Sequence, residues 1–344
     1  MRTVVRQNNF NLIRLILALL VLLSHAFELI DGDRRRELLT QMFGSMSFGE
    51  LAVDGFFLLS GYLIMQSWSA QPQAWPFLRK RLLRIYPGFL VATLVCAFIV
   101  GPLAAEPATY FDALDIQALV VHMLFLQKPA VPDVFAGLHH EGINNSMWSI
   151  SAEFLCYLSV LVLGVSGSLR NRRKWFALTM LILTVGVAAR MVNLTIPGMR
   201  LAMLFLCGGT YYLYRDKIRM DGRVALGAVV IVLLCMFSWR LSELAVTTVG
   251  GYALLYVASK RSALLSQFNR LPDVSYGAYL YGWPIQKLLI WYVPTISPWS
   301  LFVLSTLCAL LAGAVSWCVI EEPALRFKGP HIRVPEATAE PLTQ

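Results

Sequence analysis

Long blocks of apolar residues, separated by short polar and basic stretches, cover most of this chain. The first, Phe10 to Ile30, is long enough to cross a bilayer, for which about 20 mostly apolar residues suffice. Further blocks lie near 51–67, 87–104, 146–166, 175–193, 199–215, 224–240, 244–258, 276–293 and 299–320. The pattern predicts an all-α, polytopic integral membrane bundle of about ten transmembrane helices. Inside the first block stand Arg14 and His25. Eleven positions at 100° each return to nearly the same helix face, roughly 16 Å further along the axis. Ionisable groups inside a span are costly and usually face a bundle interior or a water-filled cavity. Taken singly, each admits a simpler account: Arg14 snorkels to the interface and His25 caps the outer end.

Charge placement adds a topology. The basic stretches 79–84, 170–174, 214–223, 259–261 and 325–333 fall on one side if the segment 114–128 does not cross. That arrangement obeys the positive-inside bias, giving ten spans, both termini cytoplasmic, and 114–128 as a re-entrant or interfacial helix. Asp33 to Glu37 (DRRRE) is the exception, three arginines on the outer side. A net charge of +9 in a chain 57% hydrophobic and 14% charged thus points to anionic lipid, with no nucleic-acid partner. The basic start resembles a signal peptide, but the block outruns an h-region and lacks a small-x-small site, so it reads as an uncleaved span. All six cysteines lie in apolar blocks without metal spacing, and neither disulfide nor metal site is expected. Residues 1–328 read as a single membrane domain. The Pro-containing stretch 329–344 reads as a disordered cytoplasmic tail.

Three segments carry candidate chemistry. RKRLLRIYP brings Arg81 and Arg84, one helical turn apart, and Arg suits bidentate phosphate recognition; alone, such a cluster reads first as an orientation signal and lipid-headgroup contact. ELAVDGFFLLSGYLI brings Asp54 with Gly55 and Gly61, whose small size permits close helix approach. Asp54 would orient His25, or else serve as a helix-start carboxylate. NNSMWSISAEFLCYL brings Trp148, an interfacial aromatic, then Ser149 and Glu153. A glutamate in an apolar run needs a partner. His25, Asp54 and Glu153 are expected to converge on the outer half.

These segments, in this order, resemble the membrane acyltransferase-3 family, whose members move acyl groups, often acetyl, onto sugars or other acceptors. Further carriers of the resemblance are SYGAYLYGWP, from Ser275 and Tyr276 to Pro284, and VIEEP, with Glu321 at the glutamate of an E-x-P motif. The resemblance implies that Arg14, Arg81 and Arg84 deal with the acyl-coenzyme A donor and that His25 takes part in transfer. One departure stands out. Many relatives carry a histidine two residues before the last proline of the SY…P motif, and this chain has Gly282.

The expectation is an O-acyltransferase of the bacterial cytoplasmic membrane. Acetyl-CoA or another acyl-CoA is the donor substrate, and a glycan or lipid-linked saccharide outside is the acceptor. His25, oriented by Asp54 or Glu153, would be the base or the transient acyl carrier. Trp148, Ser149, Ser275, Tyr276 and Glu321 bind substrate or support the site. The alternatives are a transporter using the same polar cavity and an acyltransferase acting on a cytoplasmic acceptor.

Overall fold

The computed structural model describes residues 9–260 and 272–327; the expected tail and both termini lie outside them. Its described elements are all helical, with no strand among the described residues. Helices α1 (Phe10–Asp31), α2 (Leu38–Phe43) and α3 (Phe48–Ala70) lead into α4 (Ala74–Leu103). Two short helices follow, α5 (Pro107–Ala113) and α6 (Ile116–Leu124), then α7 (Trp148–Val165), α8 (Arg172–Met191), α9 (Met199–Leu213) and α10 (Gly222–Cys235). Next come α11, continuous over 242–259, α12 (Ser275–Tyr292) and α13 (Pro298–Arg326). Each of the ten expected blocks is helical. Six of them, α1, α3, α4, α7, α8 and α13, are long and apolar enough to cross a membrane. Arg81 and Arg84 do not precede the third long helix, as expected, but lie within it, because α4 starts at Ala74.

Helix ends follow local chemistry. Ser47 and Glu50 cap the start of α3 reciprocally. Glu37 adds a second carboxylate there, accepting the Phe48 N–H at 2.7 Å, where the helix dipole favours negative charge. In α12, Pro284 has no N–H for the Leu280 carbonyl one turn back. Asn144 takes that place, its Nδ2 donating to Leu280 O at 2.8 Å.

Packing is set by small residues. A Cβ on Gly61 would lie 2.0 Å from the Phe205 carbonyl oxygen, and one on Gly208 2.0 Å from that of Leu58, so α3 and α9 meet backbone to backbone. Gly277 faces Gly313 in the same way between α12 and α13, at 2.5 Å.

The contacts also sort the loops. Asn9 donates to Val257 O and Lys260 O, Arg172 pairs with Asp216, Arg81 with Ser67, and Arg84 with Asp273 and Glu321. The described residues of the basic stretches therefore share one end of the bundle. At the other end, the DRRRE arginines are neutralised locally: Arg34 by Glu28, Arg35 by Asp33 and Arg36 by Asp31. Segment 114–128 does not link the two ends. Tyr110 and Phe135, on either side of it, join one apolar cluster with Cys96 and Val100. The tip of α6 reaches down α4, where Tyr86 donates to Leu124 O at 2.7 Å. Nine residues of helix, about 14 Å, are half of what a crossing requires.

Candidate active site

Helix α1 runs through the centre of the site. Arg14 lies near its basic end, and His25 is buried further along, 8% exposed. The cavity beside Arg14 is lined by Ser149 and Glu153 of α7, by Ser275, Tyr276 and Tyr279 of α12, and by Phe56 of α3. Five residues nominated from the sequence, Arg14, Ser149, Glu153, Ser275 and Tyr276, thus meet in one place. Ser149 and Tyr279 share a hydrogen bond of 2.7 Å. Glu153 accepts from Ser60 Oγ at 2.9 Å and from the Tyr157 hydroxyl. Tyr276 donates to the Ile85 carbonyl at 2.9 Å, tying α12 to α4.

Below the cavity is an ion cluster with a member that the motifs did not nominate. Asp273 Oδ2 lies 2.5 Å from Arg84 Nη2 and 3.6 Å from Arg14 Nη1, and Ser275 Oγ donates to its Oδ1 at 2.6 Å. Burial alone would raise this carboxyl, but Arg84 and Arg14 hold it well below the usual carboxylate range. The other Arg84 nitrogen, Nη1, faces Glu321 at 3.7 Å. A π-helical turn over Trp317–Glu321 brings Glu321 inward, and Ser316 donates to its Oε1 at 3.2 Å. Asp273 precedes the SY…P motif by two residues, and only its seat between two arginines marks it. Arg81 is less committed. It donates from Nη2 to Ser67 Oγ at 2.8 Å, its guanidinium lies over the Phe77 and Tyr157 rings, and its buried Nε has no partner.

The expected meeting of His25 with Asp54 and Glu153 does not occur. Gly49 packs at Ser24 and Gly55 at Leu17, and this antiparallel register puts Asp54 about 10 Å along the axis from the level of His25. Glu153, bonded to Ser60, lies about 19 Å away by the same count. Each carboxylate has other business: Asp54 accepts from Arg200 Nε at 2.8 Å, joining α3 to α9, and Glu153 belongs to the Arg14 cavity. What His25 does contact is Trp283 of α12, edge to face with centroids 4.7 Å apart. Among the described residues its ring nitrogens make no hydrogen bond. Trp148 is 54% exposed and outside the cavity, as an interfacial aromatic would be. Gly282 is a packing position, since a Cβ there would come within 2.7 Å of Leu22 Cδ1. Gln286, one turn on, donates to the Leu22 carbonyl at 2.8 Å and to Ser305 at 3.1 Å, binding α1 to α13.

A helical membrane bundle with a buried imidazole and a polar cavity on one helix has its counterpart in a known class of transferase. The chain belongs to the acyltransferase-3 family, whose acyltransferase domain matches residues 7–320. It is similar to an O-acetyl transferase of Shigella phage Sf6, 25% identical over 95% of this chain and 98% of that protein. It is also similar to nodulation protein 10 of Rhizobium leguminosarum bv. viciae, 26% identical over 94% of each chain, and to an acyltransferase of Streptomyces mycarofaciens, 27% identical over 86% of each. No solved structure matches.

Proposed function

We propose that this protein transfers an acetyl group from acetyl-CoA, bound at the basic end of the bundle, to a hydroxyl of a saccharide on the opposite side of the bacterial cytoplasmic membrane. The observation that carries this reading is the arrangement on α1. Arg14 opens onto a polar cavity at the basic end, and His25 stands buried on the same helix face toward the other. A thioester donor is too polar to cross a bilayer unaided. Its phosphates stay with arginines at the surface while its thin arm extends inward along α1. Arg14 and Arg81 have donor capacity to spare, whereas Arg84 is occupied by Asp273 and Glu321 and would chiefly position Asp273. In the transfer, His25 accepts the proton of the acceptor hydroxyl as the oxygen attacks the thioester carbonyl. The carbon–sulfur bond breaks and the coenzyme leaves as a thiol, taking that proton.

The test is acetyl ester content of surface glycans, read by mass spectrometry with and without the protein, together with transfer from labelled acetyl-CoA by purified variants. His25→Gln is expected to abolish transfer and keep donor binding, since an amide cannot take the proton. Arg81→Ala should weaken donor affinity by roughly tenfold or more, as a charged hydrogen bond of about 1.5–3 kcal/mol would, and Arg14→Lys should retain part of it. Normal turnover by His25→Gln would defeat the mechanism. Unchanged glycans in cells lacking the protein would defeat the assigned acceptor.

A further inference from the structure

The chain between α6 and α7 folds back over the end of α1 that carries His25 and is fastened there by buried donors of α12. Lys287 Nζ donates to the His139 carbonyl at 2.9 Å, and Trp283 Nε1 donates to that of Gly142 at 3.1 Å. Gly32 ends α1 with φ +79°, and a Cβ there would come 2.9 Å from His139 Nδ1, so the close approach of the loop requires glycine twice over. Between the two fastenings stands His140 with φ +56°. That left-handed conformation is uncommon outside glycine and is retained only where the surroundings impose it.

The held conformation aims the His140 ring at the neighbourhood of His25. Both imidazoles meet the same Trp283 indole edge to face, His25 at 4.7 Å and His140 at 6.2 Å between centroids. Glu28 faces His140 from α1, three residues after His25 and so on the same side of the helix. Its Oε2 is taken by Arg34, which donates from Nε at 3.1 Å and from Nη2 at 2.8 Å and reaches on to Ser47 with Nη1. Oε1 is left 3.9 Å from His140 Nε2. This separation is too long for a direct hydrogen bond, but a bridging oxygen can bond to both groups. A donor–acceptor nitrogen and a carboxylate oxygen, one helical turn from His25, form a hydroxyl-binding pair. Position 282 of α12 is closed by Leu22, and the loop brings a second imidazole to Trp283, the next residue of that helix.

Resting on the acyl-transfer reading above, we propose that His140 and Glu28 form the acceptor subsite, binding a neutral sugar through a hydroxyl held between them while a neighbouring hydroxyl is presented to His25. They hold the acceptor and move no proton. Their loss therefore acts on acceptor binding and leaves the donor untouched.

The experiment uses purified protein in lipid nanodiscs, acetyl-CoA labelled in its acetyl group, and the glycolipid fraction of producing cells deleted for this gene. His140→Gly and Glu28→Gln are each expected to raise the acceptor KM about tenfold, equivalent to about 1.4 kcal/mol, with the acetyl-CoA KM and the kcat at saturating glycolipid unchanged. His140→Gln should fall between, because its amide keeps a donor. The glycine variant relieves the left-handed backbone, so its thermal midpoint should equal or exceed that of the wild type. That separates binding from structure even if Glu28→Gln disturbs Arg34. An unchanged acceptor KM in His140→Gly, or an equal loss for donor and acceptor with a lowered midpoint, would overturn the subsite. Failure of the wild type to label the glycolipid would overturn the acyl-transfer reading itself, and the subsite with it.

Discussion

At the scale of single residues, Asp273 shows how the fold uses a buried charge. It is seated between Arg84 and Arg14, which outweigh the effect of its burial and hold its carboxyl below the ordinary value. A depressed folded-state pKa gives stability that is present above the unfolded value of about 3.9 and is lost as pH falls through the folded one. The thermal midpoint of the wild type should therefore drop on acidification below about pH 4. Asp273→Asn should be less stable at neutral pH and lose part of that acid limb. Removing the carboxylate outright, as in Asp273→Ala, leaves Arg84 facing Glu321 alone, at a cost on the order of 3–5 kcal/mol for a broken buried pair. An alanine variant with wild-type stability and an unchanged acid limb would show that the cluster is solvated and contributes nothing.

At the scale of elements, the closest packing is that of α3 on α9. Gly61 and Gly208 let each backbone approach the other's carbonyl oxygens, and the same pair of helices carries the Asp54–Arg200 ion pair. The ion pair depends on the approach, because a wider separation would strand a carboxylate that is fully buried. Gly208→Leu should prevent assembly of the bundle. Gly61→Ala should destabilise it by about 1–3 kcal/mol, the usual range for overpacking, measured as a shift in detergent-solubilised unfolding. Replacing Asp54 and Arg200 together by Leu and Met should be milder than replacing Asp54 alone, since no charge is then left unpaired. If Gly208→Leu were tolerated without loss, the backbone contact would not be what holds these helices.

For the whole molecule, the decisive property is sidedness. Basic stretches gather at one end, and the DRRRE arginines at the other are each matched by a nearby carboxylate. A cysteine placed at 171 should be protected from an impermeant thiol reagent in intact cells, and one placed at 35, on the exposed Arg35 side chain, should be labelled. The reverse pattern would invert the bundle, with the cavity of Arg14 opening outward and the donor site on the wrong face.

How far the sequence alone reached follows from what each feature depends on. Block length and apolarity are properties of consecutive residues, so the long helices between Phe10 and Arg326 could be placed from them, whereas the non-crossing segment near Ile116 was read from where the basic residues fall. The one-face relation of Arg14 and His25 was legible because helix geometry converts spacing into direction. A glutamate in an apolar run brought Glu153 into view, with Ser149 before it, and family motifs brought Ser275 and Tyr276, although not the cavity they share. Depth between helices was not legible. It depends on which glycine meets which side chain, and the register of Gly49 on Ser24 and Gly55 on Leu17 separates Asp54 and Glu153 from His25. Asp273 and His140 were missed for a related reason. One sits in a connection and the other in a loop held by α12, and neither has a periodicity to read. Their partners, Arg84 and Glu28, are distant in sequence, so only tertiary structure could decide that a carboxylate lies between two arginines and that a second imidazole shares Trp283 with the first.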